Sequence, residues 1–499
     1  MNVRDSLPTE YIENMSKVPG IELDAFLAIY DKPAVKALRF NTKKVRPETI
    51  EKLIREWNLE PVPWCRDAYY YEETQESGLA LSRTNAAQDE QQNEASLSSD
   101  ESDKASSEKL TDADNLKDIR NDKSLGKEAS RSLRPGLSPY HDAGVFYIQE
   151  PSAMITAEKA DIKPEDIVLD LCAAPGGKST QAAAKSKYLI SNEPIPNRAR
   201  TLSSNIERMG FDNCIVSSAY PDELAKVFTD YFDKIIVDAP CSGEGMMRKD
   251  ETARTEWSPA NVAQCIVRQG EILESASTML KPGGRLIYST CTFEPGENEG
   301  QIKAFLKTHP DYSLISSETL YPHQIKGEGH YCAVLERASG NPTYTAENLV
   351  DGTAVIEDVS EAVSSNSNIE EIFNETFFAK ATDVKVKKKL KETISSNERK
   401  KGKNGGRLKI DRNSTLSEIS EYMRKNKLHI LRTGVEPGET ITDKKGNKRY
   451  EPSHAEALSG YFGSAEADSV NLLEESDAIS YLKGNIIDLD KLLDRKSVV

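Results

Sequence analysis

The stretch that most constrains the fold is Asp170–Thr180, Asp-Leu-Cys-Ala-Ala-Pro-Gly-Gly-Lys-Ser-Thr. Its first residues close an apolar run, Ile167-Val168-Leu169-Asp170-Leu171-Cys172, of the kind that forms a strand buried on both faces of a parallel sheet. Pro175 then fixes φ, and Gly176 and Gly177 permit a backbone path that a β-carbon would block. The following Gln181-Ala182-Ala183-Ala184-Lys185 is helical in propensity. Strand, glycine turn and helix in that order build the cofactor crevice of a doubly wound α/β sheet. The spacing is neither Gly-x-Gly-x-x-Gly nor that of a phosphate loop, so the turn alone does not name its ligand.

The units then repeat. Strand-like runs at Tyr188–Asn192, Cys214–Val216, Phe232–Asp238 and Gly284–Ser289 alternate with helices at Arg198–Met209, ended by Gly210, and at about Ala260–Leu280, stopped by Lys281-Pro282-Gly283-Gly284. Such alternation predicts a Rossmann-like α/β domain with a parallel sheet covered on both faces. It is expected over residues 133–338, with a strand at Val145–Gln149 and a helix opening near Pro151. Residues 1–83 read as a small α+β module. Val35–Thr42 alternates like a half-buried strand, Ile50, Leu53, Ile54 and Trp57 share one helix face, and Pro61–Cys65 and Ala68–Tyr71 are strand-like. Its aromatics are expected in the core, although aromatics can also stack on bases.

Between these lies 84–132, which has no aromatic residue and carries twelve acidic against seven basic side chains; it is expected to be a disordered acidic insertion. Residues 339–404 read as a polar, then basic linker; Lys380–Lys409 holds twelve basic and three acidic side chains, which suits either a solvated linker or RNA contact. Residues 405–499 look folded again, with a strand at Leu428–Leu431. A net charge of −16 over 499 residues excludes a simple nucleic-acid-coating protein. Seven cysteines without a Cys-x-x-Cys pair suit a reducing compartment, and no signal-peptide core or membrane span is evident, so a cytoplasmic location is expected.

Two thiols stand apart. Cys241, in Asp238-Ala239-Pro240-Cys241-Ser242-Gly243-Glu244-Gly245, and Cys291, in Ser289-Thr290-Cys291-Thr292, fall just past the carboxyl ends of predicted strands, the edge where an open parallel sheet binds ligands. Cys65, Cys214 and Cys265 read instead as small buried hydrophobes. His323, His330 and Cys332 match no standard metal spacing, and no metal is expected.

The segments Asp170–Thr180, Asp238–Met246 and Tyr288–Glu299 together resemble the S-adenosylmethionine-dependent RNA 5-methylcytosine methyltransferases of the Nol1/Nop2/Sun type. Arg39-Phe40-Asn41-Thr42 is similar to an N-terminal element of that family. Tyr321-Pro322-His323, Gly327-Glu328-Gly329-His330 and Arg449–His454 are similar to its bacterial ribosomal small-subunit branch, the last within a PUA-like C-terminal domain. The resemblance implies S-adenosyl-L-methionine as cofactor and RNA as partner, ribosomal RNA or a small-subunit particle before transfer RNA; a catalytically silent assembly factor is the rival from another class. It implies Cys291 as the thiol that adds to cytosine C6, Cys241 as the thiol that assists product release, and Asp238 and Lys178 as their neighbours on the reactants. The residues alone leave the two cysteine roles interchangeable, since DNA cytosine methyltransferases attack with a Pro-Cys element like Pro240-Cys241. Cofactor contacts are expected from Cys172, Ala173, Ala174, Pro175, Gly176, Gly177, Lys178 and Asp238, from Glu193 on the ribose, and from Arg198. After the third strand, Ser217-Ser218-Ala219-Tyr220 departs from the family's acidic or amide residue near the adenine, with Asp222 as a substitute.

Overall fold

The computed structural model describes residues 3–73, 134–339 and 410–435, and the backbone of 439–442 and 448–451. The expected insertion at 84–132, nearly all of the linker at 339–404 and most of the C-terminal module lie outside the described residues. The described residues divide into two compact units, one of residues 3–35, 149–339 and 410–435, the other of 36–73 and 134–148.

In the second unit a four-stranded antiparallel sheet runs in the order β2-β3-β1-β4, with β1 at Ala37–Phe40, β2 at Glu60–Pro61, β3 at Ala68–Tyr70 and β4 at Phe146–Ile148. The helix Pro47–Glu56 opens on a proline in its first turn. It lays Ile50, Leu53 and Ile54 against Leu38, Phe40 and Phe146. Trp57 meets Phe146 edge-on at 5.6 Å. These aromatics are spent on the core. The strand expected at Val145–Gln149 pairs with β1, through Leu38↔Ile148 and Phe40↔Phe146, so it belongs to this small sheet.

The first unit is built on an eight-stranded sheet in the order β10-β11-β9-β8-β5-β6-β7-β12. Its strands are β5 (Ile167–Asp170), β6 (Tyr188–Asn192), β7 (Cys214–Ser218), β8 (Phe232–Asp238), β9 (Leu280–Thr290), β10 (Tyr312–Leu320), β11 (His330–Arg337) and β12 (His429–Thr433). Pairing is parallel from β9 through β8, β5 and β6 to β7. Ile167, Val168, Leu169, Ile235, Ile236 and Val237 are fully or almost fully buried, as apolar runs covered on both faces must be.

The expected all-parallel sheet is corrected to a mixed one: β11 and β10 add antiparallel beyond β9, and β12 adds antiparallel beyond β7. The helix Pro259–Met279 ends where the glycines predict, but Lys281-Pro282-Gly283-Gly284 lies within β9, as a bulge between Phe232↔Leu280 and Lys234↔Arg285. Gly283 takes φ +75° there, and a β-carbon on Gly284 would come within 2.9 Å of the Asp233 carbonyl.

Residues 3–35 pack in this first unit. Tyr11, Met15, Phe26 and Tyr30 form one buried cluster with Met247, Trp257, Val262 and Phe293. The buried pair Arg248 Nε–Glu328, 2.7 Å, fastens that segment further: Arg248 donates to the Ile29 carbonyl at 3.1 Å and Val35 N–H donates to Glu328 at 2.9 Å. Residues 410–435, expected to open a separate C-terminal module, supply the helix Leu416–Lys425 and β12 to the same unit. Ile419, Met423 and Leu428 enter the main core, while Arg412 pairs with Asp233 and Arg432 with Glu207. A hairpin of β13 (Glu439–Thr442) and β14 (Lys448–Glu451) follows.

Candidate active site

The site forms at the carboxyl edge of β5, β8 and β9, three neighbours in the sheet. At the end of β5, Asp170 is fully buried and accepts a 2.6 Å hydrogen bond from Ser179, which in turn receives one from Ser191 at 3.0 Å. Burial pushes the Asp170 carboxyl up to about 7, and its second oxygen has no hydrogen-bond partner. Cys172 and Ala173 follow; burial raises the Cys172 thiol, and Ala173 N–H donates to the Asn192 carbonyl at 2.9 Å.

Gly176, at φ +117°, caps the helix Gly177–Ala183, and a β-carbon on it would press Leu202 at 3.2 Å. On Gly177 a β-carbon would meet Gln149 at 3.0 Å. The carbonyls of this turn are held from the next helix, Pro196–Met209. Arg198 donates to the Ala174 carbonyl at 3.1 Å and Asn205 to that of Pro175 at 2.9 Å. Glu193, just past β6, is 2% exposed; it accepts from Ile195 N–H at 3.1 Å and lies 3.6 Å from Arg198. Asn192 ties Leu171, Ser217 and Ala219 together beside it. Asp222 lies on an exposed helix, paired with Lys226 at 2.6 Å.

Lys178 joins the glycine turn to the next loop, its Nζ 2.8 Å from Asp238 Oδ2. Asp238 Oδ1 accepts from Ser289 at 2.9 Å and lies 3.7 Å from His330 Nε2. Burial opposes the charge of both partners, yet the attraction wins: Lys178 is held above its usual range and Asp238 below the usual carboxylate range. His330 is pressed down to about 3 by burial and by Lys178, so it is neutral, and neither ring nitrogen has a hydrogen-bond partner.

The two thiols meet. Cys241 Sγ lies 3.2 Å from Cys291 Sγ, and both side chains are partly accessible. Their loops are stitched by Ala239 N–H to the Ser289 carbonyl at 2.8 Å, Ser242 to Thr292 at 2.8 Å and Gly245 N–H to the Cys291 carbonyl at 2.7 Å. A side chain at Gly245 would sit 2.8 Å from that carbonyl oxygen. The hydrogen bond to Cys291, together with burial, holds the Cys241 thiol well above its ordinary range, and either sulfur can be the donor of that contact. Asn205, His330, Glu297 and Gln269 were not singled out from the sequence as site residues. Asn205, Glu297 and Gln269 reach partners on distant segments, Pro175, Ser242 and Pro240, so the spacing in sequence gives no sign of those contacts.

Five parallel strands, a glycine turn at the end of the first, and a Lys–Asp ion pair leading to two adjoining thiols define a Rossmann-like methyltransferase fold with its site at the carboxyl edge. Residues 158–347 match the family model described as 16S rRNA methyltransferase RsmB/F, and residues 7–83 match that for the N-terminal domain of 16S rRNA methyltransferase RsmF. The chain thus carries a segment similar to the RsmB/F methyltransferase domain and one similar to the RsmF N-terminal domain.

Among curated relatives, the ribosomal RNA small subunit methyltransferase F of Pectobacterium carotovorum is 30% identical over 303 residues, 59% of this chain and 51% of the relative. That of Vibrio parahaemolyticus is 32% identical over 303 residues, 59% of this chain and 52% of the relative. The chain thus spans about half the length of the curated relatives it matches. Of solved structures, NSun6 from Pyrococcus horikoshii with SFG aligns at TM-score 0.50 and 23% identity, over 67% of this chain and 99% of that one. A structure titled PH0851 aligns at 0.52 and 22%, over 66% of each chain. Both likenesses concern the fold. Among the described residues no helix is long and apolar enough to cross a membrane, and no cluster of metal-ligating side chains occurs.

Proposed function

We propose that this protein transfers a methyl group from S-adenosylmethionine to C5 of a cytosine in RNA, and that the RNA is 16S ribosomal RNA of the small subunit. The observation that carries the reading is the pair of sulfurs 3.2 Å apart beside an Asp238 held anionic by Lys178. The rRNA assignment rests on the names of the relatives.

The crevice suits the cofactor. Gly176 and Gly177 leave the turn bare where a β-carbon would collide, and Asp170 keeps one oxygen unpaired beneath it. The backbone of Cys172–Gly177, with Arg198 bracing Ala174, would hold the methionine portion, and Glu193 the ribose hydroxyls. When bound, S-adenosylmethionine supplies an electrophilic methyl group on a sulfonium.

Cytosine C5 is a weak nucleophile until a thiolate adds to C6 and makes C5 enamine-like. Cys291 performs that addition, as the family resemblance implies, with Cys241 Sγ 3.2 Å away for the later release. Asp238 accepts from the cytosine amino group, and Lys178 keeps Asp238 charged. After C5 carries the methyl group, its proton must leave, the C5=C6 bond reforms and the bond from C6 to Cys291 breaks. Cys241 relays protons in that step: its sulfur receives the C5 proton as its own hydrogen passes to the departing sulfur of Cys291.

The test is transfer of labelled methyl from S-adenosylmethionine to 16S rRNA, naked or in small-subunit particles. Cys291→Ala is expected to abolish transfer. Cys241→Ala is expected to leave a protein–RNA adduct that survives denaturation. An adduct that needs Cys241 and forms without Cys291 would reverse the roles, and no cytosine methylation of any RNA would refute the activity.

A further inference from the structure

The loop that carries Cys241 is gripped on both sides of the cysteine by two side chains from elsewhere in the chain. On one side, Gln269 Nε2, on the helix Pro259–Met279, donates to the Pro240 carbonyl at 3.0 Å. On the other, Ser242 N–H donates to Glu297 Oε2 at 3.1 Å. The two grips are one device, since Gln269 Nε2 also donates to Glu297 Oε2 at 2.7 Å. Gln269 and Glu297 are both 0% exposed, and the Glu297 backbone is itself anchored by the Tyr288 hydroxyl on its carbonyl at 2.7 Å. Burial pushes the Glu297 carboxyl up to about 7, the cost of placing an acid where its hydrogen bonds to Ser242 and Gln269 only partly offset desolvation. A buried polar pair is an expensive way to hold a loop that three other hydrogen bonds already stitch to the Cys291 loop. What the pair adds is a fixed path on either side of a single residue.

We propose that Glu297 and Gln269 are positioning residues for Cys241, setting its sulfur against that of Cys291 for the release of the methylated base. The proposal rests on the reading that Cys291 forms the adduct and Cys241 resolves it. In the resolving step the C5–H and C6–Sγ bonds break and C5=C6 forms. The C5 proton goes to Cys241, whose own hydrogen goes to Cys291, so both thiols end protonated and no further reactant is consumed. A proton relay through one sulfur depends on placement, and displacing a reacting group by ~1 Å can cost on the order of a hundredfold. Addition of Cys291 to C6 does not use Cys241 as acceptor and depends far less on its position.

The experiment compares Glu297→Gln, Gln269→Leu, Cys241→Ala and Cys241→Ala/Glu297→Gln in the full-length protein, with labelled S-adenosylmethionine and a 16S rRNA transcript. Equilibrium cofactor binding serves as the check on folding. Adduct formation and product release are read separately, in single turnover. The expected result is near-normal adduct formation, with release slowed roughly ten- to a hundredfold in Glu297→Gln and in Gln269→Leu. The double variant should release no more slowly than Cys241→Ala alone, because both changes act through the same sulfur. If Cys241→Ala traps the adduct while both single clamp variants release normally, the positioning role is refuted and the cysteine roles stand. Equal losses in formation and release in the single clamp variants, or a double variant that forms adduct much more slowly than Cys241→Ala, would mark the clamp as general scaffolding. If Cys241→Ala itself releases normally, the cysteine roles fall and the proposal falls with them.

Discussion

At the scale of single residues, Glu244 shows how the site is held and how that hold depends on pH. Its carboxylate accepts from Trp257 Nε1 at 3.1 Å and from Phe293 N–H at 2.8 Å, so it fastens the loop after Cys241 to the loop after Cys291. It is 1% exposed, and burial raises its carboxyl from 4.5 to about 8. A carboxyl whose pKa is higher folded than unfolded binds its proton more tightly in the native state. Its contribution to stability is complete below the unfolded value and is lost as pH rises through the folded one. The denaturation midpoint of the wild type is therefore expected to fall between about pH 5 and about pH 9. Glu244→Gln should start lower, since its amide places a donor against one of two donors, and should lack this share of the slope. Urea unfolding of both proteins across that range tests it; parallel slopes would mean that Glu244 does not titrate there. The glycine turn and both cysteines were legible in the sequence because each lies in a short stretch whose residue types are odd for a core. Glu244 was not, since Trp257 and Phe293 lie 13 and 49 residues away.

At the scale of elements, legibility followed burial. β5, β6, β7 and β8 are short apolar runs covered on both faces, and their sequences announce them. β10 is an edge strand, Tyr-Ser-Leu-Ile-Ser-Ser-Glu-Thr-Leu, only one residue of which is fully buried, and it has no apolar run or clean alternation to read. β12 was legible as a strand, but not its partner: it pairs with β7 across more than two hundred intervening residues, through Ile430↔Ser217 and Thr433↔Ile215. A chain ended after residue 409 therefore lacks Ile419, Met423 and Leu428 in its core, exposes the edge of β7, and leaves Asp233 without Arg412. At ~1.5–3 kcal/mol for each large apolar side chain, the three alone amount to roughly 5 kcal/mol or more, a large part of a domain's stability. The chain ended at 409 is expected to be insoluble or to unfold at much lower urea, and a chain ended at 435 to keep its cofactor-binding unit. Equal stability of the two would show that β12 is dispensable to the sheet.

At the scale of the whole molecule, charge poses the remaining problem: a net charge of −16 must be reconciled with a polyanionic substrate. Acidic residues are concentrated in 84–132, at twelve to seven, whereas Lys380–Lys409 holds twelve basic side chains to three acidic. The basic run is followed directly by residues 410–435, which are built into the sheet that carries the two cysteines, so it is tethered to the catalytic unit by its sequence position. A tethered cation cluster raises the encounter rate and affinity for RNA through release of counterions, without reading its sequence. Replacing Lys387, Lys388, Lys389, Arg399, Lys400 and Lys401 with serine is therefore expected to weaken rRNA binding at low salt. It should also flatten the dependence of log affinity on log salt by ~0.7 for each phosphate no longer neutralised. Cofactor affinity should be unchanged, because Asp170, Glu193 and the glycine turn are untouched. The measurement is filter binding of the transcript over a salt series, with cofactor binding in parallel. An unchanged salt slope would mean that the basic run is a solvated linker, and that the surface holding the RNA must be sought among the folded residues.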